Sequence, residues 1–385
     1  MHAENDNPEL LRAKELGIKI YSYPEFVYKY TEDKQRIVIA GSDGKTTVTA
    51  MILHVLKFHN KKFDYLIGAE LEGFDRLLQL SDEAPIIIIE GDEYPSSAID
   101  PTPKFLHYRH HMALINTVAW DHSNVYFTYD EYVKQFENLA DATPKAGMLF
   151  YSEEDDMASV ICRKEREDVQ RVEYNIEKHE VKNGITYLIT DEGKIPLQIF
   201  GRHNLSNLEG ARAVCNKIGI SNARFYEAIS TFRGAASRLE LLAENDFTAV
   251  YKDVAHAPSR LKACTNAAKE RFPGRQLVTV LELPSTSSLN KEYLPQYRDC
   301  LENTDHPFVY YNPETIEKKH FPALTPDEVK NAFNNPKLCV LTDFENIRKE
   351  LSKLDWKNKV LVFMTSGNFD GINLNSFARE LVNQR

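Results

Sequence analysis

Six consecutive residues, Gly41-Ser42-Asp43-Gly44-Lys45-Thr46, combine two glycines, a lysine and a hydroxyl in an order that suits an anionic phosphate. The glycines let backbone N–H groups turn inward around phosphate oxygens, Lys45 brings a mobile positive charge, and the Thr46 hydroxyl can ligate Mg2+. Thr47 continues the segment into a helical pattern that begins near Lys45 and would add its positive end. The alternative is a Gly-containing turn whose Lys and Thr are merely solvated. It leaves unexplained why the apolar run Ile37-Val38-Ile39-Ala40, by pattern a buried strand, leads straight into the loop. At GxxGKT the loop is shorter than GxxxxGK[ST] and indicates a subclass of phosphate-binding folds.

Two more segments place chemistry at the ends of apolar runs. Pro85-Ile86-Ile87-Ile88-Ile89 ends in Glu90-Gly91-Asp92-Glu93, and Met112-Ala113-Leu114-Ile115-Asn116 runs on to Trp120-Asp121-His122. In open α/β sheets ligands bind outside the carboxyl ends of parallel strands, so Glu90 and His122 are expected beside the phosphate loop as Mg2+ ligands. Spacing alone leaves open that Asp92 and Glu93 are loop charges and His122 a turn histidine. Gly201-Arg202-His203-Asn204-Leu205-Ser206-Asn207 opens a helix, where the amides of Asn204 and Asn207 read as caps on residue type alone.

These groups need a scaffold, and the chain supplies alternating strands and helices. Before the loop stand a helix after a possible Asn7 cap, a strand over Ile18 to Tyr21, and a turn of helix over Pro24 to Tyr30. After it come a helix to about His59, a strand near Tyr65, a helix over Asp130 to Ala140, a strand at Met148 to Tyr151 and a charged helix over Glu153 to Glu167. The Asn-Gly signal at 183–184 predicts a β-meander over 171–200. Beyond Phe232-Arg233-Gly234-Ala235-Ala236-Ser237-Arg238 strands and helices alternate again: strands near 247–251, 277–281, 308–311, 338–341 and 360–364, and helices over Ser259 to Lys269, near Tyr293 to Leu301 and over Glu345 to Leu354. The expected fold class is α/β: a central P-loop ATPase domain with a parallel sheet plus a C-terminal Rossmann-like domain. The domain boundaries predicted are 1–33, 34–233 and 234–385, with Gly234-Ala235-Ala236 as a hinge for closure.

With 385 residues, 42% hydrophobic and 27% charged, a sizeable core is available. A net charge of -10 argues against nucleic acid and anionic membrane as partners, because both demand a basic face. Cys162, Cys215, Cys264, Cys300 and Cys339 are odd in number and widely spread, suggesting neither a disulfide framework nor a zinc site. The polar, acidic opening MHAENDNPEL is unlike a signal peptide, and the expected location is cytoplasmic. The sequence says nothing of oligomeric state.

Taken together the motifs resemble the Mur ligases, ATP-dependent amide-forming enzymes of peptidoglycan synthesis. GSDGKTT resembles the family's phosphate loop, EGDEY and AWDH its metal-binding segments, GRHNLSN its adenine-contacting helix start, and SRLE and KDVAHAPS the opening of its C-terminal domain. The resemblance implies ATP and Mg2+ as cofactors, held by Gly41 to Thr47 with Thr46, Glu90 and His122 as metal ligands. It also implies that His203, Asn204 and Asn207 seat adenine, that Arg238 and Asp253 contact phosphate and ribose, and that His256 lies at the closing interface. Lys45, Glu90, His122 and Arg238 would be catalytic. GDEY followed by KFLHY and the late MTSGNFDGI resemble the murein peptide ligase branch, which joins L-Ala-γ-D-Glu-meso-diaminopimelate to UDP-N-acetylmuramate. The implied partners are thus a UDP-N-acetylmuramate-type substrate and an amino-acid or peptide acceptor, and the first 33 residues resemble only the last unit of the UDP-holding domain. Alternatives are the UDP-N-acetylmuramate–alanine ligase branch, a folylpolyglutamate synthase type, and a catalytically impaired nucleotide-binding relative. Asp43 stands where the family's loop usually has His or Asn, Pro95 where an acid is common, and Lys252 and Ala257 where Asp and His are common.

Overall fold

The computed structural model describes residues 3–122, 125–164, 166–284, 287–318 and 321–383. The β-branched run before the glycine loop forms β1 (Gln35–Ala40), whose Ile37, Val38 and Ile39 are fully buried. Around it the chain lays β2 (Asp64–Leu66), β3 (Leu78–Gln79) and β4 (Ile86–Glu90), then a small pair, β5 (Pro95–Ser97) and β6 (Asp100–Pro103), that bond only to each other. The strands β7 (Met112–Ile115), β8 (Met148–Ser152) and β9 (Gln170–Tyr174) complete a seven-stranded sheet of order β3-β2-β4-β1-β7-β8-β9. Every pairing in it is parallel except β2 with β3. A strand flanked by parallel neighbours and covered on both faces must be apolar throughout, which explains the four consecutive isoleucines of β4.

Helices cover this sheet. α1 (Pro8–Glu15) is capped by the Asn7 side chain, and α2 (Tyr23–Lys29) begins with a Ser22–Glu25 capping box. α3 (Lys45–Phe58) starts directly after the glycine loop, followed by α4 (Lys104–His107), α5 (Tyr129–Asp141), α6 (Asp156–Cys162), α7 (Arg202–Lys217) and α8 (Asn222–Ile229). The strands β10 (His179–Lys182), β11 (Ile185–Thr190) and β12 (Gly193–Leu197) form a separate three-stranded sheet.

A second large sheet follows: β13 (Glu240–Glu244), β14 (Thr248–Asp253), β15 (Gln276–Glu282), β16 (His306–Tyr310), β17 (Cys339–Leu341) and β18 (Lys359–Met364), in the order β13-β14-β18-β15-β16-β17. It is parallel but for the antiparallel edge strand β13. Its helices are α9 (Pro258–Arg271), α10 (Pro313–Lys318), α11 (Pro326–Phe333), α12 (Phe344–Ser352) and α13 (Leu374–Val382). The α/β class with parallel sheets is the one the sequence predicts.

By contact density the chain divides into two compact units: Met1–Lys178, Leu188–Leu197 and His203–Ala235 in the first, His179–Tyr187, Gln198–Arg202 and Ala236–Arg385 in the second. All five cysteines are free; Cys162 and Cys215 are buried in the first unit, Cys264 and Cys300 in the second, with Cys339 half-buried. No helix among the described residues is long and apolar enough to cross a membrane.

Several expectations fail in instructive ways. Ile18 to Tyr21 is not a strand; Ile18 and Ile20 are exposed, because alternation cannot make a strand without a partner edge. The stretch 171–200 is not one meander, since β9 joins the large sheet parallel to β8. The helix read over Glu153 to Glu167 is only α6, with Glu165 outside the described residues, and the one near Tyr293 reduces to a 3-10 turn at Leu294–Tyr297. Two capped helices, α10 and α11, fall in a stretch where the sequence showed none.

Candidate active site

The glycine loop is shaped by positions that exclude a side chain. Gly44 caps α3 with φ +83, and a Cβ there would lie 2.2 Å from Asn207 Oδ1 and 2.3 Å from Asn116 Nδ2. Gly41 has φ +133 and a Cβ would press on Asn116 and Thr117. No side-chain hydrogen bond caps the start of α3, and the positive end of a helix favours an anion. The loop is clamped from β7 and its continuation: Ser42 N–H donates to the Thr117 carbonyl at 2.8 Å, Asp43 N–H to Thr117 Oγ1 at 2.9 Å, and Ala119 N–H to Ser42 Oγ at 2.7 Å.

Lys45 does not reach into solvent. Its ammonium donates to the Gly41 carbonyl at 2.6 Å and to Glu93 Oε2 at 2.8 Å. Glu93 is fully buried and gathers three more groups: His122 Nε2 at 3.4 Å, the Tyr132 hydroxyl at 2.9 Å, and the Tyr126 hydroxyl on its backbone carbonyl. Burial would raise the Glu93 carboxyl, but Lys45 and His122 outweigh it and hold it far below the usual carboxylate range. Burial likewise would lower His122, yet the bond to Glu93 and the charge of Asp121 bring it out above its ordinary 6.5. His122 adopts φ 54, left-handed backbone for a non-glycine residue.

Next to this ion cluster, at the carboxyl end of β4, Thr46 Oγ1 donates to Glu90 Oε1 at 2.6 Å and Gly68 N–H to Glu90 Oε2 at 2.6 Å. Among the described residues no salt bridge to Glu90 is formed, and burial pushes its carboxyl up. A carboxylate and a threonine hydroxyl, both oxygen donors within hydrogen-bond distance, fit Mg2+, which takes few protein ligands and keeps waters and phosphate oxygens for the rest. Among the described residues no group of three His, Cys, Asp or Glu is arranged as a metal cage. His122 meets Glu93, so in this arrangement its ring is engaged by a carboxylate.

A third network ties the loop to α7. Asn116 Nδ2 donates to Asn207 Oδ1 at 2.8 Å and to the Asp43 carbonyl at 3.0 Å, while the Tyr174 hydroxyl donates to Asn116 Oδ1 at 2.7 Å. Asn204 and Asn207 lie inside α7, which begins at Arg202, so neither is its cap. His203 keeps Nδ1 buried without a hydrogen-bond partner, and burial pushes the ring down to about 4 against the pull of Asp43. His203 as a whole is half-buried, and its Nδ1 offers a nitrogen to a hydrogen-bonding ligand. Thr47 is buried in the first turn of α3.

The remaining sequence-predicted residues belong to the second unit and are described within it. Asp253 ends β14 with Oδ2 accepting from Leu239 N–H and Oδ1 from Ala255 N–H, each at 2.7 Å, and burial raises it to about 6. Arg238 donates to the Ala236 carbonyl at 2.7 Å, and His256 Nδ1 lies 2.8 Å from the Val254 carbonyl.

Sequence reasoning missed Glu93, Tyr132 and Asn116 as site residues. Glu93 stood in the acidic segment already singled out, but only the tertiary fold shows that it, and not Asp92, turns inward. Asp92 instead pairs with Lys104 at 3.1 Å, whose ammonium also sits 4.1 Å from the centre of the Tyr94 ring.

Comparison with known proteins agrees with this geometry. The Mur ligase middle domain family matches residues 39–215. A UDP-N-acetylmuramate–L-alanine ligase of Caldicellulosiruptor bescii is 30% identical over 320 residues, 79% of this chain and 68% of the relative. Among solved structures, a UDP-N-acetylmuramate–alanine ligase of Thermotoga maritima superposes with a TM-score of 0.70 at 19% identity, covering 99% of this chain and 82% of that one. A murein peptide ligase of Psychrobacter arcticus gives 0.66 at 21%, covering 100% and 85%. With the phosphate loop, the strand-end acids and the relatives in agreement, the chain belongs to the Mur ligase family, the ATP-dependent amide-forming enzymes of peptidoglycan synthesis.

Proposed function

We propose that the chain joins an L-Ala-γ-D-Glu-meso-diaminopimelate tripeptide to UDP-N-acetylmuramate. The observation that carries the chemistry is Lys45, held between the Gly41 carbonyl and Glu93 at the mouth of an uncapped helix and next to the Thr46–Glu90 pair. In the first step a lactyl carboxylate oxygen takes the γ-phosphoryl group of ATP, giving an acyl phosphate and ADP. In the second the peptide amine attacks the acyl carbon, phosphate leaves, and the amine loses a proton. Lys45 and the first-turn N–H groups of α3 would hold the β and γ phosphates and meet the charge that develops on transfer. Thr46 and Glu90 would hold Mg2+, which when bound would supply positive charge to offset that of the phosphates. His122, in contact with Glu93, would help place a second metal. His203, Asn204 and Asn207 would seat the adenine; Arg238 and Asp253 would serve phosphate and ribose, with His256 beside them.

Support for the tripeptide comes from the segment between β4 and β7, where the buried Lys104 is fixed by Asp92 and Tyr94 in the stretch that resembles the murein peptide ligase branch. A second reading, alanine as acceptor, is favoured by the names of the curated relatives. Phosphate release from Mg-ATP with UDP-N-acetylmuramate and a panel of acceptors separates them. Stimulation by tripeptide alone supports the first reading, stimulation by alanine alone the second, and silence across the panel removes both.

A further inference from the structure

In the first unit Tyr132, on α5, is fully buried with its hydroxyl between the glycine loop and the ion cluster. Its oxygen lies 3.1 Å from Ser42 Oγ and 2.9 Å from Glu93 Oε1. A phenol has one proton to give, and Glu93, held ionised, can only accept, so the proton goes to Glu93. The ring has little freedom to turn away: it packs edge-on against Tyr126 and Phe136, with ring centres 5.6 and 5.3 Å apart.

The two oxygens of Glu93 therefore face different groups. Oε1 takes the Tyr132 hydroxyl, with His122 Nε2 farther off at 3.4 Å, while Oε2 takes the Lys45 ammonium at 2.8 Å. Lys45 is claimed from two sides, because a bound phosphate needs the same positive charge that Glu93 holds. A buried carboxylate that depended on the ammonium alone would hold it tightly, since an unpaired charge is costly in the interior. A hydrogen bond to Oε1 stabilises the charged form independently of Lys45, and so reduces what the ammonium must supply. The Tyr132 hydroxyl thus bears on phosphate binding without having to touch phosphate.

We propose that Tyr132 is a positioning residue that acts through Glu93 to leave the Lys45 ammonium free for nucleotide phosphate. This rests on Lys45 being the phosphate cation, as in the function proposed above. The test is calorimetric titration of the full chain with a non-hydrolysable ATP analogue and Mg2+, in wild type, Tyr132→Phe, Glu93→Gln, the double variant and Lys45→Ala. Phenylalanine keeps the ring between Tyr126 and Phe136 and removes only the oxygen, so the fold is kept. Tyr132→Phe should weaken analogue binding by about five- to tenfold in the wild-type background. In the Glu93→Gln background the same substitution should change affinity by less than about twofold, because glutamine makes no ionic claim on Lys45. Phe136→Leu loosens the same aromatic contacts without touching the oxygen; it should lower the melting temperature and leave analogue affinity as in wild type. Equal affinity in Tyr132→Phe and wild type, an equal loss in both backgrounds, or a matching loss in Phe136→Leu would overturn the role of Tyr132. Wild-type affinity in Lys45→Ala would overturn the phosphate-loop reading and this inference together, whereas a loss there with none in Tyr132→Phe removes the inference alone.

Discussion

Both units place carboxylates at the carboxyl ends of central parallel strands, but they use them differently. In the first unit Glu93 meets two cations, Lys45 and His122, and is held ionised although fully buried. In the second, Glu282 accepts from the Thr365 hydroxyl and from Phe369 N–H, and Asp253 from two backbone N–H groups; in both, burial wins and the carboxyl is pushed up. Similar topology therefore yields a preorganised ion cluster in one unit and turn-fixing acceptors in the other. What separates them is whether a cation bonds the carboxylate directly, as Lys45 and His122 bond Glu93.

The largest break in this contrast is Lys45→Ala. It should lower turnover by about a thousandfold or more, since the charge lost is one that acts on transferring phosphate; circular dichroism should stay close to wild type, while melting falls because the buried Glu93 loses a partner. Ligation surviving at wild-type rate would mean the loop is not the phosphate site. Next comes Glu93→Gln, which leaves Lys45 and His122 without their shared counter-charge. Turnover should fall by about ten- to a hundredfold, as for partners that orient a reacting group. The His122 ring should titrate lower by NMR, since burial already pulls it down and its main raising partner is gone.

In the second unit the corresponding change should touch stability. Glu282→Ala strands the Thr365 hydroxyl and the Phe369 N–H in a buried turn, at a cost of about 1–3 kcal/mol by denaturant unfolding. A loss of turnover with unchanged stability would place Glu282 with the chemistry instead. The smallest effect at neutral pH belongs to His110, buried against Thr143 Oγ1 at 2.8 Å, whose ring burial pushes from 6.5 to about 3. Between those values the unfolded chain holds a proton that the folded chain lacks, so stability falls as pH drops below about 6.5. His110→Gln should flatten that slope in acid while changing little at pH 8.

The phosphate loop was legible because each residue in it does a local job: glycine permits the turn, lysine carries charge, threonine offers an oxygen. Glu90 followed from the rule about strand ends. Glu93 did not, because whether Asp92 or Glu93 turns inward depends on Tyr126 and Tyr132, more than thirty residues away. The Asn116–Asn207 bond spans 91 positions, and the asparagines of α7 therefore looked like caps. The misreading of Ile18 to Tyr21 has the same origin, since a strand exists only where a neighbouring edge accepts it. β9 shows the converse: its partner β8 makes it a parallel strand despite the hairpin signal that follows.

The distribution of thiols gives the molecule a pair of chemical clocks. Burial raises the thiols of Cys162 and Cys300, to about 12 and about 11, and those of Cys215 and Cys264 as well, so an alkylating reagent at neutral pH finds almost no thiolate in the closed protein. Each adduct therefore records a moment at which the surrounding core came apart. Mass analysis of peptides bearing Cys162 and Cys215 would time the opening of one unit, and of Cys264 and Cys300 the other, in the unmodified chain and in a single reaction vessel.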